Sequence, residues 1–272
     1  MSIAEQSVAQ TGHVTEELPN FITLLNQWFP HSGLVHFFHY WENIVFSFLV
    51  LGLIAHRFIG AARQKSFLPK GRQNRCEMVV EGITGFVTGI LGPKGIEHVP
   101  FLGTLFIYIL IENFLGMIPF MKSPTSAWST TIALALITTV YVQWVGIKEQ
   151  GFFHYVKHMA GNPQGLLGLA LVPIMLVINL SIEYLAVPLS LSLRLFANVS
   201  SEDKLLYKFA ELTGMYWGAP FPFQIFANVL VMIFSLVQAF VFLLLATVYI
   251  SLIMPHDEEH SDPQCGASSA AH

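Results

Sequence analysis

Arg194 stands in an apolar stretch that runs from Leu166 to Ala197, where the only other charge is Glu183. A cation at bilayer depth costs roughly 2.5–3.5 kcal/mol on insertion scales, so it persists only where it faces protein, a carboxylate or water. Such an arginine is a functional-site candidate by default, and the chemistry it suits is the handling of ions. On a helical wheel of about 100° per residue, Glu183, Ser190, Asn198 and Ser201 all fall within about 40° of it. Pro188 interrupts that run, kinks the helix and blurs the angle of Glu183. A second polar set lies further on: Gln224, Asn228, Ser235, Gln238 and Tyr249 share an arc of about 80° on an otherwise apolar helix.

Taken singly, each uncharged member of these sets is interhelical hydrogen-bond glue worth about 0.6 kcal/mol. As continuous stripes accompanying a charge, they fit an aqueous ion path better. Glu202-Asp203-Lys204 begins about 12 Å along the helix from Arg194. It is either a solvated helix end or the acidic mouth of that path. Asp203 points nearly opposite Arg194 on the wheel, so the two do not face one partner on a straight helix.

The elements that must position these residues are membrane helices. The 272-residue chain is 54% hydrophobic and only 11% charged, whereas soluble domains carry about 25% charged residues. An all-α integral membrane protein follows. Its two cysteines, Cys76 and Cys265, are too few for a disulfide framework. Residues 1–39 form a polar N-terminal segment with a short amphipathic piece at 21–29. Residues 40–254 form the transmembrane domain, and 255–272 a polar cytoplasmic tail.

Five hydrophobic stretches, at 40–59, 101–119, 127–147, 166–208 and 221–254, are candidates to cross a core that takes about 20 apolar residues. Residues 74–92, weakly apolar and holding four glycines, read as a surface-lying helix. Arg57, Arg63, Lys65, Lys70, Arg72 and Arg75 lie between the first two spans. With Lys94, Lys148 and Lys157 they make nine basic residues on one side against Lys122 on the other, with Lys204 and Lys208 approaching that other side from within the fourth stretch. The positive-inside rule then puts the N-terminus outside and the C-terminus in the cytoplasm. No Lys or Arg precedes Arg57, which speaks against a basic leader and favours a bacterial plasma (inner) membrane.

The last two segments are long for upright helices. Residues 223–254 contain no Gly or Pro across 32 positions, and a continuous helix there is about 48 Å long. Against a core of about 30 Å that demands a tilt of roughly 50°, beyond the usual range of about 0–40°. Residues 189–213 also lack Gly and Pro, and a turn at 214–222 joins the two. A long, strongly tilted hairpin following a large partner is the expected arrangement.

These residues carry a resemblance. Pro188-Leu-Ser-Leu-Ser-Leu-Arg-Leu-Phe-Ala-Asn198 closely resembles the signature of subunit a of F-type ATP synthases. Leu236-Val-Gln-Ala-Phe-Val-Phe-Leu243, followed by Tyr249, is similar to that family's last-helix motif, and Asn113-Phe-Leu-Gly-Met-Ile-Pro119 to its Asn-Leu-x-Gly-x-x-Pro segment. The three occur in the family's order over residues 100–255. The resemblance implies that the hairpin lies along a rotating ring of c subunits and that Arg194 faces the ring's essential carboxylate. A permanently charged guanidinium there favours deprotonation of an arriving carboxyl. It also bars a direct leak between two offset aqueous half-channels.

Other positions carry over unevenly. Asn198 and Gln238 match polar positions near the arginine, and Ser201 and Asn228 join them on the stripes. The acidic position nine after the arginine falls on Asp203, beside Glu202. Where some bacterial members carry a histidine, this chain has Val231. Glu202 and Asp203, held by Lys204, are therefore expected to line the outer half-channel. Glu112 either joins that vestibule or is an interfacial residue. Glu183 is the candidate for the inner half-channel, although relatives carry the acid about a turn earlier, where this chain has Asn179.

The implied partners are the c-subunit ring, the b subunits of the peripheral stalk, the remaining ATP synthase subunits and the lipid bilayer. The chain has no P-loop, dinucleotide fingerprint or nucleophile motif, so it is expected to catalyse nothing alone and to need no cofactor, metal or nucleic acid. His36 with His39, and His256 with His260, have helical spacing for a metal but read better as interfacial and tail residues. The competing class is a self-contained ion-coupled secondary transporter. Such folds show internal repeats and broken helices about a midplane site, and no repeated pattern is visible here.

Overall fold

The structure, a computed structural model, describes residues 40–63, 71–118, 121, 123–151, 153, 155, 159, 165–215 and 220–254. The expected N-terminal segment, the C-terminal tail and both histidine pairs lie outside the described residues.

Glycine and proline set the helix ends. Helix α1, Glu42–Arg63, carries an acid in its first turn and a base in its last, which complements the helix dipole. Helix α2, Arg72–Leu91, stops at Gly92, whose φ of 70° is one that a side chain disfavours. A 3₁₀ turn, Pro93–His98, leads into α3, Val99–Gly116. Pro100 sits in the first turn of α3, where a missing N–H costs nothing. After a second 3₁₀ turn, Pro124–Ser126, comes α4, Trp128–Gln150, which ends at Gly151 with φ 78°. Helix α5, Gly165–Ser181, continues through a π turn, Ile182–Ala186, into α6, Val187–Met215. Helix α7, Pro220–Ile253, follows.

Among the described residues, five stretches are long and apolar enough to cross a membrane: Glu42–Ala61, Pro93–Gly116, Trp128–Gln150, Val172–Leu212 and Gln224–Ile253. The protein is all-helical among the described residues and multi-pass, as expected. The second span begins at Pro93 rather than near residue 101, because the 3₁₀ turn runs directly into α3. Pro188 does not produce a simple kink. Its ring would crowd the carbonyl of residue 184 in an α-helix. The wider turn immediately before it, with the Val187 N–H bonded to the Ile182 carbonyl, relieves that crowding.

Helices α6 and α7 pack antiparallel and share the most extensive contact of any two elements. Leu105, Ile109, Leu134, Ala135, Leu191, Leu195, Val199, Ala239 and Phe242 join α3, α4, α6 and α7 in one core. A second core at the other end includes Ile83, Val87, Val145, Tyr155 and Ile250. Helix α2 is not among the spans. It packs on α1, α3 and α7, burying Ile83 and Val87 and setting Phe86 against Phe240 at 4.9 Å between ring centroids.

Many hydroxyls in the spans are satisfied within their own helix. Thr104, Thr138, Thr139, Ser201 and Thr247 each donate to the carbonyl four residues earlier, a local bond that removes the penalty of a polar group in an apolar setting. The polar groups that reach across helices are fewer, and they mark the site.

Candidate ion-translocation site

Helix α6 has two faces. Leu191, Leu195, Val199, Glu202 and Leu206 are buried, and on the wheel they span an arc roughly 60–140° from Arg194. Arg194 lies outside that arc and is exposed, as are Ser190 and Ser201, while Asn198 is half-buried at its edge. Among the described residues Arg194 forms no hydrogen bond or ion pair. The span that carries it is the least covered by its own chain: 11% of its most apolar window is buried, against 50% for α4.

One carboxylate cluster lies C-terminal to Arg194 along α6. Glu202 is buried. Its Oε1 accepts from Asn198 Nδ2 at 2.6 Å and its Oε2 from the Ser235 hydroxyl at 2.9 Å, so the acid ties α6 to α7. Asp203, the next residue, points to α3 instead: its Oδ1 lies 3.6 Å from where a Cβ on Gly116 would be. The two acids thus diverge, since adjacent helical residues are about 100° apart. Lys204 does not hold them. It is exposed and has no ion pair among the described residues.

Close by on α3, Glu112 is fully buried. Its Oε1 accepts from the Ser47 hydroxyl of α1 at 3.2 Å. Ser123 donates to the Glu112 carbonyl at 3.0 Å and meets Thr125 at 2.7 Å, and Thr125 donates to Asn113 Oδ1 at 3.1 Å. Among the described residues, Asn113 Nδ2 is buried without a partner, while Tyr108 also hydrogen-bonds to Glu112. Ser47, Ser123 and Thr125 were not singled out in the sequence. The polar Ser-Pro-Thr-Ser run just after the Asn113 motif was the available signal.

A second cluster lies N-terminal to Arg194. Glu183 sits in the π turn, and its Oε2 accepts from Gln143 Nε2 and from the Tyr155 hydroxyl, each at 3.0 Å. It therefore faces α4, not the side of Arg194 that the wheel assigned to it. The wheel assumed a uniform α-helix, and the π turn adds a residue between the two. A cavity of about 220 Å³ adjoins Glu183, lined also by Gln143, Thr138, Thr139 and Tyr249. Burial raises the pKa of the Tyr155 phenol, and the neighbouring Glu183 charge raises it further, so Tyr155 keeps its proton. Asn179 donates to the Met159 carbonyl at 2.7 Å.

The polar stripe of α7 lies on the face that helix buries. Ser235 and Gln238 are buried and Asn228 and Tyr249 half-buried, while Gln224 donates to Asn228 at 3.4 Å. Val231 packs with Leu206 and Ala227, so an apolar contact occupies the position of the absent histidine.

Five spanning helices with carboxylates buried between them, and an exposed arginine on the longest antiparallel pair, define a polytopic membrane protein equipped to handle ions. A family model described as ATP synthase A chain matches residues 44–251. The ATP synthase subunit a of Protochlamydia amoebophila (strain UWE25) is 41% identical over 248 residues, 89% of this chain and 91% of that protein. The subunit a of Helicobacter pylori (strain P12) is 35% identical over 78% of this chain and 90% of its own. That of Helicobacter acinonychis (strain Sheeba) is 33% identical over 85% and 93%. The chain belongs to the ATP synthase subunit a family.

Proposed function

We propose that Arg194 is the fixed cation facing the carboxylate of a c-subunit ring, set between two offset half-channels, one at Glu202 and Asp203 and the other at Glu183. As a member of its family the chain is a multi-pass, non-catalytic subunit of the Fo sector. It carries protons and works assembled with the rest of the ATP synthase. A self-contained secondary transporter is not favoured by that membership.

The observation that carries the reading is the exposed Arg194 with no partner of its own, on the least covered span, while Glu183 and Glu202 are bonded elsewhere. A guanidinium in a low-dielectric setting seeks an anion, and no acid among the described residues supplies it. A carboxylate on a moving ring does. In this reading a ring carboxyl reaching the guanidinium gives up its proton, and protons do not pass straight between the half-channels.

Glu112, Asn198, Ser201, Asn228 and Gln238 belong in this reading to the polar surroundings of the outer half-channel. The cavity beside Glu183 belongs to the inner one. The distribution of basic residues supports an N-terminus outside and a C-terminus in the cytoplasm, in a bacterial plasma membrane, with residues 40–254 as the translocating domain and the b subunits as stalk partners. The test is Arg194→Ala in the assembled complex in membrane vesicles. ATP-driven proton pumping and coupled ATP synthesis are expected to fall to background with assembly intact. Unchanged coupling overturns the assignment.

A further inference from the structure

The carboxylate of Glu183 is clamped on one oxygen only, and the clamp contains a single rotatable proton. Oε2 accepts from Gln143 Nε2 and from the Tyr155 hydroxyl, and that same hydroxyl also contacts Gln143 Oε1. A phenol has one proton to donate, so it serves Glu183 or Gln143 but not both. Among the described residues no donor reaches Oε1 of Glu183.

The three groups come from three separate elements: α4, the π turn and the segment after Gly151. Tyr155 is held in place by packing. Its ring is buried over Gly146, where an added Cβ would lie 2.9 Å from Tyr155 Cε2. Gln143 is buried as well. Two residues that the sequence did not mark therefore converge on the acid that lines the 220 Å³ cavity.

We propose that Tyr155 and Gln143 form a proton-orientation switch that holds Glu183 in its charged form until a proton binds at the free Oε1. With the carboxylate charged, the Tyr155 hydroxyl donates to Oε2, the stronger acceptor. When a proton arrives at Oε1, the acid becomes neutral and Oε2 a weaker acceptor. The Tyr155 proton then turns about its C–O bond to Gln143 Oε1. When the proton leaves Oε1 the hydroxyl turns back. The transported proton enters and leaves at Oε1, and the phenolic proton never departs from Tyr155. Tyr155 is thus a positioning residue, and the switch rests on the reading of Glu183 as the inner half-channel acid.

Among the described residues, few other titratable groups face this site. Tyr184 shares the π turn and Tyr249 comes from α7. The cavity-lining groups of α4, Thr138, Thr139 and Gln143, are neutral.

The experiment uses the assembled ATP synthase in vesicles, with proton transport measured while the pH of each face is varied separately. Tyr155→Phe deletes one of the two donors to Glu183 Oε2. The cytoplasmic-side midpoint of the transport profile is expected to rise by about one pH unit, with the outer-side midpoint unmoved. Gln143→Met, which removes the other donor, is expected to shift the same midpoint in the same direction. Assembled complexes whose cytoplasmic profile stays put in both variants, or whose two profiles move together, overturn the switch. Glu183→Gln separates the two readings. If it transports with the parental profile, Glu183 is not on the path. If it loses transport while Tyr155→Phe leaves the profile unmoved, only the switch fails.

Discussion

Glu202 has both carboxylate oxygens bonded by side chains of two spanning helices, whereas Glu183 has one oxygen bonded, by α4 and by a residue beyond its end, next to a cavity. The first acid is part of the packing of the α6–α7 pair. The second sits where the helix has already widened into a π turn and where one oxygen has no donor among the described residues. Two acids at comparable distances from Arg194 in sequence are thus built for different degrees of freedom. An acid bonded on both oxygens changes charge only if its donors rearrange. An acid bonded on one keeps the other for a proton.

The comparison breaks most severely at Arg194→Ala, where complete loss of coupled pumping with intact assembly is expected. Next comes Glu202→Ala, which leaves the buried Ser235 hydroxyl without its acceptor, at about 1–3 kcal/mol, and removes the partner of the half-buried Asn198 amide. Pumping is expected to fall at least about tenfold and the yield of assembled complex to drop, as read by quinacrine quenching and native gels. Gly146→Ala tests the other side. Its Cβ intrudes on Tyr155 and Ile253, and overpacking of this kind costs about 1–3 kcal/mol. A several-fold loss of transport with a lowered thermal midpoint is expected, and a parental rate would show that Tyr155 does not need its seat. Ser235→Ala removes one of the two bonds to the Glu202 carboxyl, worth roughly 0.5–1.5 kcal/mol, and is expected to affect rate less than Glu202→Ala. The smallest effect belongs to Lys204→Ala. With no ion pair to lose, it is expected to stay within about twofold of the parent in the same assay.

Much of this was legible in the sequence because it depends on period and polarity. Apolar runs gave the spans, and the isolated charge gave Arg194. The α7 stripe was visible because that helix is regular from Pro220 to Ile253, so a fixed angle per residue stays in phase. It could not say whether the stripe faced inward, and the burial of Ser235 and Gln238 answers that. Glu183 was assigned to the wrong side because a wheel cannot anticipate a π turn. Gln143 was recognisable in principle as the one amide well inside α4 among apolar residues and threonines. Tyr155 was not, since nothing local in Gly151-Phe-Phe-His-Tyr155 says which tertiary neighbour it meets. The Lys204 pairing failed because nearness in sequence does not overcome the preference of a lysine for water.

The π turn at Ile182–Ala186 acts as a phase shifter. If it closed to ordinary α geometry, Glu183 would swing back to within about 20° of Arg194 on the wheel. An acid on the arginine's own side would compete with any visiting carboxylate for the same cation. The one residue of slack ahead of Pro188 thereby works as insulation, keeping the chain's own negative charge away from the cation that the proposed function assigns to a carboxylate of another subunit.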